Sequence, residues 1–450
     1  MPVTPRLRRL LPAALPAVLA VALAACNSAT YPNSVFHSHT EFNREVGYLF
    51  KILIWLGTIV FIFVETILLI AIWKFRRRSE DDRPEHVHGN TTLEILWTAI
   101  PALILAFIAV PTVRTIFRTQ AKATASALQV EVIGHQWWWE FRYPQYKITT
   151  ANELYLPVGR TVNFALKSAD VLHSFSIPSL GGKRDLITNH TNYLWFTPDS
   201  VGVSAMNGMC AEYCGASHAN MRFRTFTVTP ADFESWARHQ QTAAVYGGAA
   251  APAVATTGAP AADATLRAEI AADASGRNHP GTGVAPSASR ADLAAMASAA
   301  AGTVEQAGFV AFPHDKLPSY VVPATPLPPG VDHWKASVVG DKERGRAFIS
   351  SGQGGCAGCH MISGVPAMQG VIGPNLTHVG SRTTIAGGIY PNDTEHLALW
   401  IRNARYMKPG VLMPTLGAFQ RDPQTNTTIP KTGLSDQQVA DIVAYLQALQ

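Results

Sequence analysis

Residues 210–221 read Cys210-Ala-Glu212-Tyr-Cys214-Gly-Ala-Ser-His218-Ala-Asn-Met221. Two thiols, an imidazole and a thioether crowd into this one short loop, and Asp170-Val-Leu-His173-Ser-Phe upstream offers a second imidazole. A single blue-copper site uses two imidazoles, one thiolate and a weak thioether, because these soft and borderline donors suit both copper valences. Here a second thiolate stands four residues from the first, and two thiolates on one tight loop can bridge two metal ions where one cannot. The pair also reads as a disulfide, natural in an exported domain. A disulfide does not require His and Met at fixed offsets behind it, so the donor set favours copper.

The sequence around this loop, from about Leu128, runs in short alternating stretches such as LQVEVIGHQWWWEFRY, TVNFALKS and MRFRTFTVTP, punctuated by Pro-Val-Gly, Gly-Gly and Pro-Asp. That texture predicts a small antiparallel β-sandwich over residues 125–238. Three adjacent indoles, Trp137, Trp138 and Trp139, cannot all face inward from one strand, so at least one lies at an edge or interface.

Upstream, Ile52–Trp73 and Ile95–Val113 are two apolar runs near the twenty residues that cross a bilayer. They predict a helical hairpin over residues 40–117, with spans at about 50–73 and 94–114. Lys74, Arg76, Arg77 and Arg78 follow the first run, which puts the connecting loop in the cytoplasm and the later domains outside. Glu65 lies within the first span, where an acid is costly and usually faces a partner. Residues 1–25 have the basic start, apolar centre and small-residue end of a secretory signal. Leu23-Ala24-Ala25-Cys26 resembles a bacterial lipobox, which implies cleavage before Cys26 and lipidation of its thiol.

Downstream, residues 239–333 are dominated by Ala, Gly, Pro, Ser and Thr. So little apolar surface cannot offset the entropy of ordering, and the stretch reads as a linker with a transient helix around 288–301. From 334 to 450 the pattern turns helical and contains Cys356-Ala-Gly-Cys359-His360, a C-x-x-C-H haem attachment motif. Two thiols three residues apart meet two vinyl groups of one porphyrin edge, and the next residue sets its imidazole beneath the iron. A thioredoxin-like redox pair fits poorly, because no βαβ pattern surrounds it. A downstream methionine should be the sixth ligand; Met361 and Met368 are too close to the attachment site, leaving Met407 and Met413. Ser435 is placed to cap the last helix.

Composition agrees with this layout. Of 450 residues, 47% are hydrophobic and 15% charged, which points to membrane segments and excludes a disordered charged chain. A net charge of +5 is too mild to argue for nucleic acid. The five cysteines divide into one for lipid, two for copper and two for haem.

The stretch from about residue 40 to 238, with its helical hairpin, GHQWWWEF, DVLHSFSIPSLGGKRD and the ligand loop, resembles subunit II of the haem–copper cytochrome c oxidases. The C-terminal part resembles class I c-type cytochromes, as in oxidase-fused cytochromes. The resemblance implies a multidomain membrane protein: a two-helix hairpin, then a cupredoxin-like all-β sandwich, then an all-α cytochrome c domain. It implies that Cys210 and Cys214 bridge both ions of a binuclear copper centre (CuA), with His173 and Met221 completing one copper, and His218 and the Glu212 carbonyl the other. The Glu212 carboxylate would help hold a magnesium ion against subunit I. Trp137 would receive electrons near the copper, Glu94 would feed protons to subunit I, and the KPGxxMP segment selects Met413 as haem ligand. The implied chain is a subunit of a proton-translocating cytochrome c oxidase in a bacterial inner membrane, with subunit I, subunit III, lipid and a cytochrome c-type donor as partners.

The aromatic strand before the ligand loop is thinner than is common in the family, and Asp170 stands in a weakly acidic surface for docking a basic cytochrome. A quinol oxidase is disfavoured because the copper donors all survive. A nitric oxide reductase would share this copper site, and a free-standing electron shuttle would need only an anchor, leaving Glu94 and the Glu212 carboxylate without a purpose.

Overall fold

The computed structural model describes residues 34–77, 79, 88–120, 123, 126–202, 206–244, 325–335 and 337–450. The signal segment with Cys26, most of the loop between the two apolar runs, and linker residues 245–324 with the helix expected at 288–301 lie outside the described residues.

Two long helices open the fold, α1 (Glu41–Lys74) and α2 (Thr91–Gln120). At 1.5 Å per residue they extend about 51 and 45 Å, enough to cross a hydrocarbon core of about 30 Å and project beyond it. Their apolar side chains face outward along the middle of the hairpin, as a bilayer-spanning pair requires. Thr40 caps α1 by accepting from the Asn43 N–H at 3.1 Å, and Asn90 caps α2 through the Leu93 N–H at 3.2 Å. The outer end of α1 is docked on the next domain: Phe42 is buried, Asn43 Nδ2 donates to the Pro178 carbonyl at 2.9 Å, and Arg44 pairs with Asp199.

The sandwich consists of two five-stranded sheets. One has the order β3 (Ile148–Ala151), β2 (Trp138–Tyr143), β1 (Leu128–His135), β5 (Val162–Ser168), β8 (Asn192–Phe196). The other has the order β4 (Glu153–Pro157), β10 (Arg222–Val228), β9 (Met206–Cys210), β6 (His173–Ile177), β7 (Gly181–Leu186). The sequence texture predicts antiparallel pairing throughout, but β1 with β5 and β4 with β10 run parallel. Several strands intervene within each of these pairs, and such a return connection is long enough to bring strands together in the same direction. Between the sheets lie Trp139, Phe141, Phe164, Phe175, Phe196 and Phe223, all without solvent exposure. Trp139 meets Phe175 and Phe223 edge-on, with ring centroids at 5.8 and 5.3 Å. Each such pair adds roughly 0.5–1.5 kcal/mol beyond its buried area, so this aromatic stack is a rigid floor for the loops above it. Helix α3 (Pro230–Gln240), capped by Thr229, closes one side with buried Phe233 and Trp236.

The C-terminal domain is built from α4 (Lys342–Ser350), α5 (Thr394–Met407) and α6 (Asp436–Gln447), with a two-stranded ribbon, β11 (Thr384–Ile385) and β12 (Tyr390–Pro391), between the first two. Ser435 caps α6 in a reciprocal arrangement with Gln438. Arg344 on α4 binds Asp441 on α6 through two bonds of 2.8 Å and clamps the terminal helices together. The described ends of the Ala/Gly/Pro-rich stretch do not hang free: Ala244, Leu327 and Val331 pack against this domain's core, and Thr325 donates to the Ile389 carbonyl at 2.9 Å.

Candidate metal centre and haem site

The ligand loop leaves β9 at Cys210 and returns into β10 after Met221, while His173 begins the neighbouring strand β6. Three strands of one sheet therefore hold the donors, and the loop needs only to fold back on itself. Cys210 Sγ lies 3.8 Å from Cys214 Sγ. His173 Nδ1 is 3.9 Å and the Glu212 carbonyl oxygen 3.1 Å from Cys210 Sγ. His218 Nδ1 is 3.6 Å and Met221 Sδ 3.8 Å from Cys214 Sγ. The four other predicted donors thus surround the two sulfurs, and the donor atoms of His173, Cys210 and Cys214 lie within 4.8 Å of one another. Both sulfurs are free thiols in contact with each other's shell, a donor chemistry that fits copper.

The surroundings prepare these donors. The Cys214 thiol, by hydrogen bonding to Cys210, holds the Cys210 thiol well below its usual range against the effect of burial. The same coupling pushes Cys214 up, so one member of the pair is poised as a thiolate. The His173 ring packs closely against the β1 backbone at Gly134, where an added Cβ would sit 2.8 Å from its Cδ2. Its Nε2 bonds to Asp170 Oδ1 at 2.8 Å, which leaves Nδ1 to face the sulfurs. Burial works against the Asp170 charge, yet bonds from His173, Gln136 and Val171 hold its carboxyl below the usual range. Asp170 is thus turned toward the metal ligands, a role that reading it as a docking acid missed; its three-residue spacing from His173 was the available signal. Gln136 Nε2 and Trp137 Nε1 both donate to the Cys214 carbonyl, at 2.7 and 3.0 Å, fixing the loop from the side.

Trp137 is buried beside the ligand loop, Trp139 lies in the core, and Trp138 stacks on His135 with ring centroids 4.2 Å apart. Tyr213, next to Glu212, is 75% exposed on the outer side of the loop. Glu94 occupies the first turn of α2, remote in sequence and structure from the metal donors, and Glu65 lies midway along α1.

The Cys-x-x-Cys-His motif lies in and just after a 3-10 turn, Gln353–Gly358, following α4. The His360 N–H bonds back to the Cys356 carbonyl at 2.9 Å, which folds the motif compactly. His360 Nδ1 lies 2.8 Å from the Pro374 carbonyl. A carbonyl can only accept, so Nδ1 carries the proton and Nε2 is the nitrogen left for a metal. Burial, partly opposed by that bond, holds His360 below its ordinary value and in the neutral form an iron takes. Met407 is buried in the core of its own domain, whereas Met413 is half-buried and packs against the sandwich core.

Such a pairing of a two-thiolate copper loop with a haem-attachment fold, carried on an apolar hairpin, serves one-electron transfer at a membrane surface. Comparison with known proteins specifies which kind. The family model described as "Cytochrome C oxidase subunit II, transmembrane domain" matches residues 36–115, "Cytochrome C oxidase subunit II, periplasmic domain" matches 147–227, and "Cytochrome c" matches 343–450. The cytochrome c oxidase subunit 2 of Alkalihalophilus pseudofirmus is 28% identical over 398 residues, 87% of this chain and 83% of that protein. The probable cytochrome c oxidase subunit 2 of Rickettsia bellii is 31% identical, over 45% of this chain and 82% of the relative. Among solved structures, the periplasmic domain of subunit II of the Bradyrhizobium japonicum cytochrome oxidase is 29% identical, covers 27% of this chain and 96% of its own, and has a TM-score of 0.25. The chain belongs to the cytochrome c oxidase subunit II family and carries a C-terminal cytochrome c domain. It is a membrane-anchored electron-transfer subunit; its family implies copper in the sandwich, haem in the C-terminal domain, and association with other oxidase subunits and a cytochrome c donor.

Proposed function

We propose that the chain accepts electrons from a cytochrome c-type donor at its C-terminal haem domain and delivers them through the sandwich to subunit I, where oxygen is reduced to water and protons are pumped. The observation that carries this reading is the convergence of four further donors on two sulfurs in a sandwich that directly contacts the haem-attachment domain. When bound, the copper pair and the covalent haem supply two one-electron redox centres. Cys210 and Cys214 would hold the coppers between them, with His173, His218, Met221 and the Glu212 carbonyl as the remaining donors. Cys356 and Cys359 would hold the haem covalently, and His360 and Met413 would be its protein ligands. Trp137, hydrogen-bonded to the ligand loop, is the side chain through which the sandwich receives electrons.

We infer the remaining roles from the resemblance to the family. The Glu212 carboxylate, on the loop beside exposed Tyr213, would face subunit I and help hold a magnesium ion there. Glu94, in the dipole-favoured first turn of α2, delivers protons from the cytoplasmic side. Lipidated Cys26 and the hairpin anchor residues 125–238 and 334–450 on the outer face of a bacterial inner membrane, and residues 239–333 link them. Subunit III completes the assembly. Purification of the complex tests the proposal: it should contain a haem–copper subunit I and consume oxygen, inhibited by cyanide, with a reduced c-type cytochrome. A complex that instead reduces nitric oxide, or that contains no catalytic subunit, would contradict it.

A further inference from the structure

The haem domain sits on the Trp137 face of the sandwich, and a lysine is buried in the seam. Lys408, at the end of α5, is 1% exposed. Its Nζ donates to the Trp137 carbonyl at 2.7 Å, the Asn220 carbonyl at 2.9 Å and the Ala386 carbonyl at 2.9 Å. An ammonium has three donors and no acceptor, so this cage satisfies it completely, which a buried charge requires. Two of the three carbonyls belong to the sandwich: one is the backbone of Trp137 itself, the other immediately precedes the ligand Met221.

The segment after Lys408 continues along the same face. Ser217 Oγ, within the copper loop, donates to the Pro409 carbonyl at 2.5 Å. At Gly410 (φ 86°) an added Cβ would stand 2.7 Å from the Trp137 ring, so backbone lies directly on the indole. Val411 and Met413 then pack with the sandwich core. Opposite, Gly387 (φ 75°) makes room for the ammonium, because a Cβ there would come within 2.7 Å of Nζ. The Arg222 N–H reaches the Gly387 carbonyl at 3.0 Å, Arg224 Nη2 the Gly388 carbonyl at 2.8 Å, and Glu153 accepts from Thr383 N and Oγ1 at 2.7 Å each.

We propose that Lys408 is a positioning residue for interdomain electron transfer: its ammonium, caged by the Trp137, Asn220 and Ala386 carbonyls, seats residues 408–413 against Trp137 and the copper loop. The path from the haem-side methionine to the copper ligands is thereby held at one geometry, and the Trp137 face is closed to any soluble donor. This assignment rests on the electron route proposed above. Lysine suits the cage because a compact three-donor cation can address three carbonyls from different directions; the planar fork of arginine cannot, and methionine offers no donor.

The test uses the complete complex with Lys408→Met and, separately, Gly387→Ala, each checked for an unaltered haem spectrum, copper EPR signal and rate of haem reduction by the external donor. Hydrogen exchange at the Arg222 amide, which bonds across the seam, reports docking without reference to turnover. Protection there should fall on the order of tenfold or more in both variants, the loss expected from one charged hydrogen bond. Flash-induced transfer from haem to copper should slow by on the order of tenfold or more. Wild-type exchange, or wild-type transfer despite lost protection, would overturn the assignment. If the unaltered complex showed no haem-to-copper transfer at all, the proposed electron route would fail, while the exchange result would still report whether Lys408 seats the domain.

Discussion

The copper region and the haem region are both electron-carrying sites in one chain, yet they are built differently. Around the copper, His173, Cys210, Cys214 and Met221 are buried, and their positions are set by adjacent strands of one sheet over an aromatic floor. The haem motif is carried by loops instead: Cys356, Cys359 and His360 lie in and just after a 3-10 turn, and Met413 follows the end of α5. A metal ion asks for a few converging atoms, which a folded sheet can present by itself. A porphyrin asks for an apolar slot, whose walls belong as much to the cofactor as to the protein. The contrast teaches that the sandwich should fold first and bind copper afterwards, whereas haem attachment and folding should be coupled.

The largest effect expected from this contrast is on the haem side. Cys356→Ala/Cys359→Ala should abolish covalent haem and lower hydrogen-exchange protection across residues 342–450 by on the order of a hundredfold, because a ligand bound only by the folded form stabilises that form. Stripping copper with a chelator should leave protection across the sandwich strands largely intact. Equal collapse of both domains on cofactor loss would break the contrast.

A second test separates the two methionines. Met413→Ala should remove the thioether-to-iron charge-transfer band and lower the haem potential. Met407→Ala should keep the band and instead cost about 2–5 kcal/mol of stability, as expected for a core side chain, measured by denaturant unfolding. Reversed phenotypes would reassign the ligand.

Asp170→Asn probes the prepared character of the copper site. With its charged partner neutralised, His173 should be held less firmly, and copper affinity should drop roughly 10- to 100-fold in competition with a chelator. The melting temperature of the metal-free sandwich should hardly move, since Asp170 lies at the rim of the core.

The smallest expected effect is on the seam. His239 of α3 and His378 of the haem domain face each other there, ring centroids 4.5 Å apart. Burial, with His378 nearby, pulls His239 down to about 4, and burial likewise lowers His378 despite its bond to the Gln450 carbonyl. Separated domains would take up protons that the docked form refuses. Docking is therefore full above pH 6.5 and weakens as pH falls from about 6.5 toward 4. Exchange at the Ala244 amide, which donates to the Ser363 carbonyl across the seam, should quicken over that interval after correction for intrinsic rates. His378→Asn should flatten the dependence; an unchanged pH profile in that variant would show that the pair is not its source.

Much of this was legible in the sequence because the chemistry is local. The copper loop packs four side-chain donors into twelve residues, the haem motif needs five residues, and the two apolar runs declare themselves by length. The capping role of Ser435 was likewise readable from the residue beside its helix. What escaped was long-range. The parallel pairings of β1 with β5 and β4 with β10 depend on how connections cross, which alternation does not encode. Lys408 reads as an ordinary charged residue before Pro-Gly, because its carbonyl partners lie 271, 188 and 22 residues away. Asp170 was visible, but only the closed sheet shows that its carboxylate turns toward His173.

On the proposed route, electrons enter at the haem and reach copper through this chain. Stopped-flow mixing of the oxidised, cyanide-blocked complex with a limited amount of reduced c-type cytochrome measures it directly, with haem and copper absorbance followed together. Haem should be reduced first and reoxidised as copper is reduced, and His360→Ala should stop copper reduction. Copper reduced at the donor's own rate, with no preceding haem reduction and no loss in the His360 variant, would contradict it.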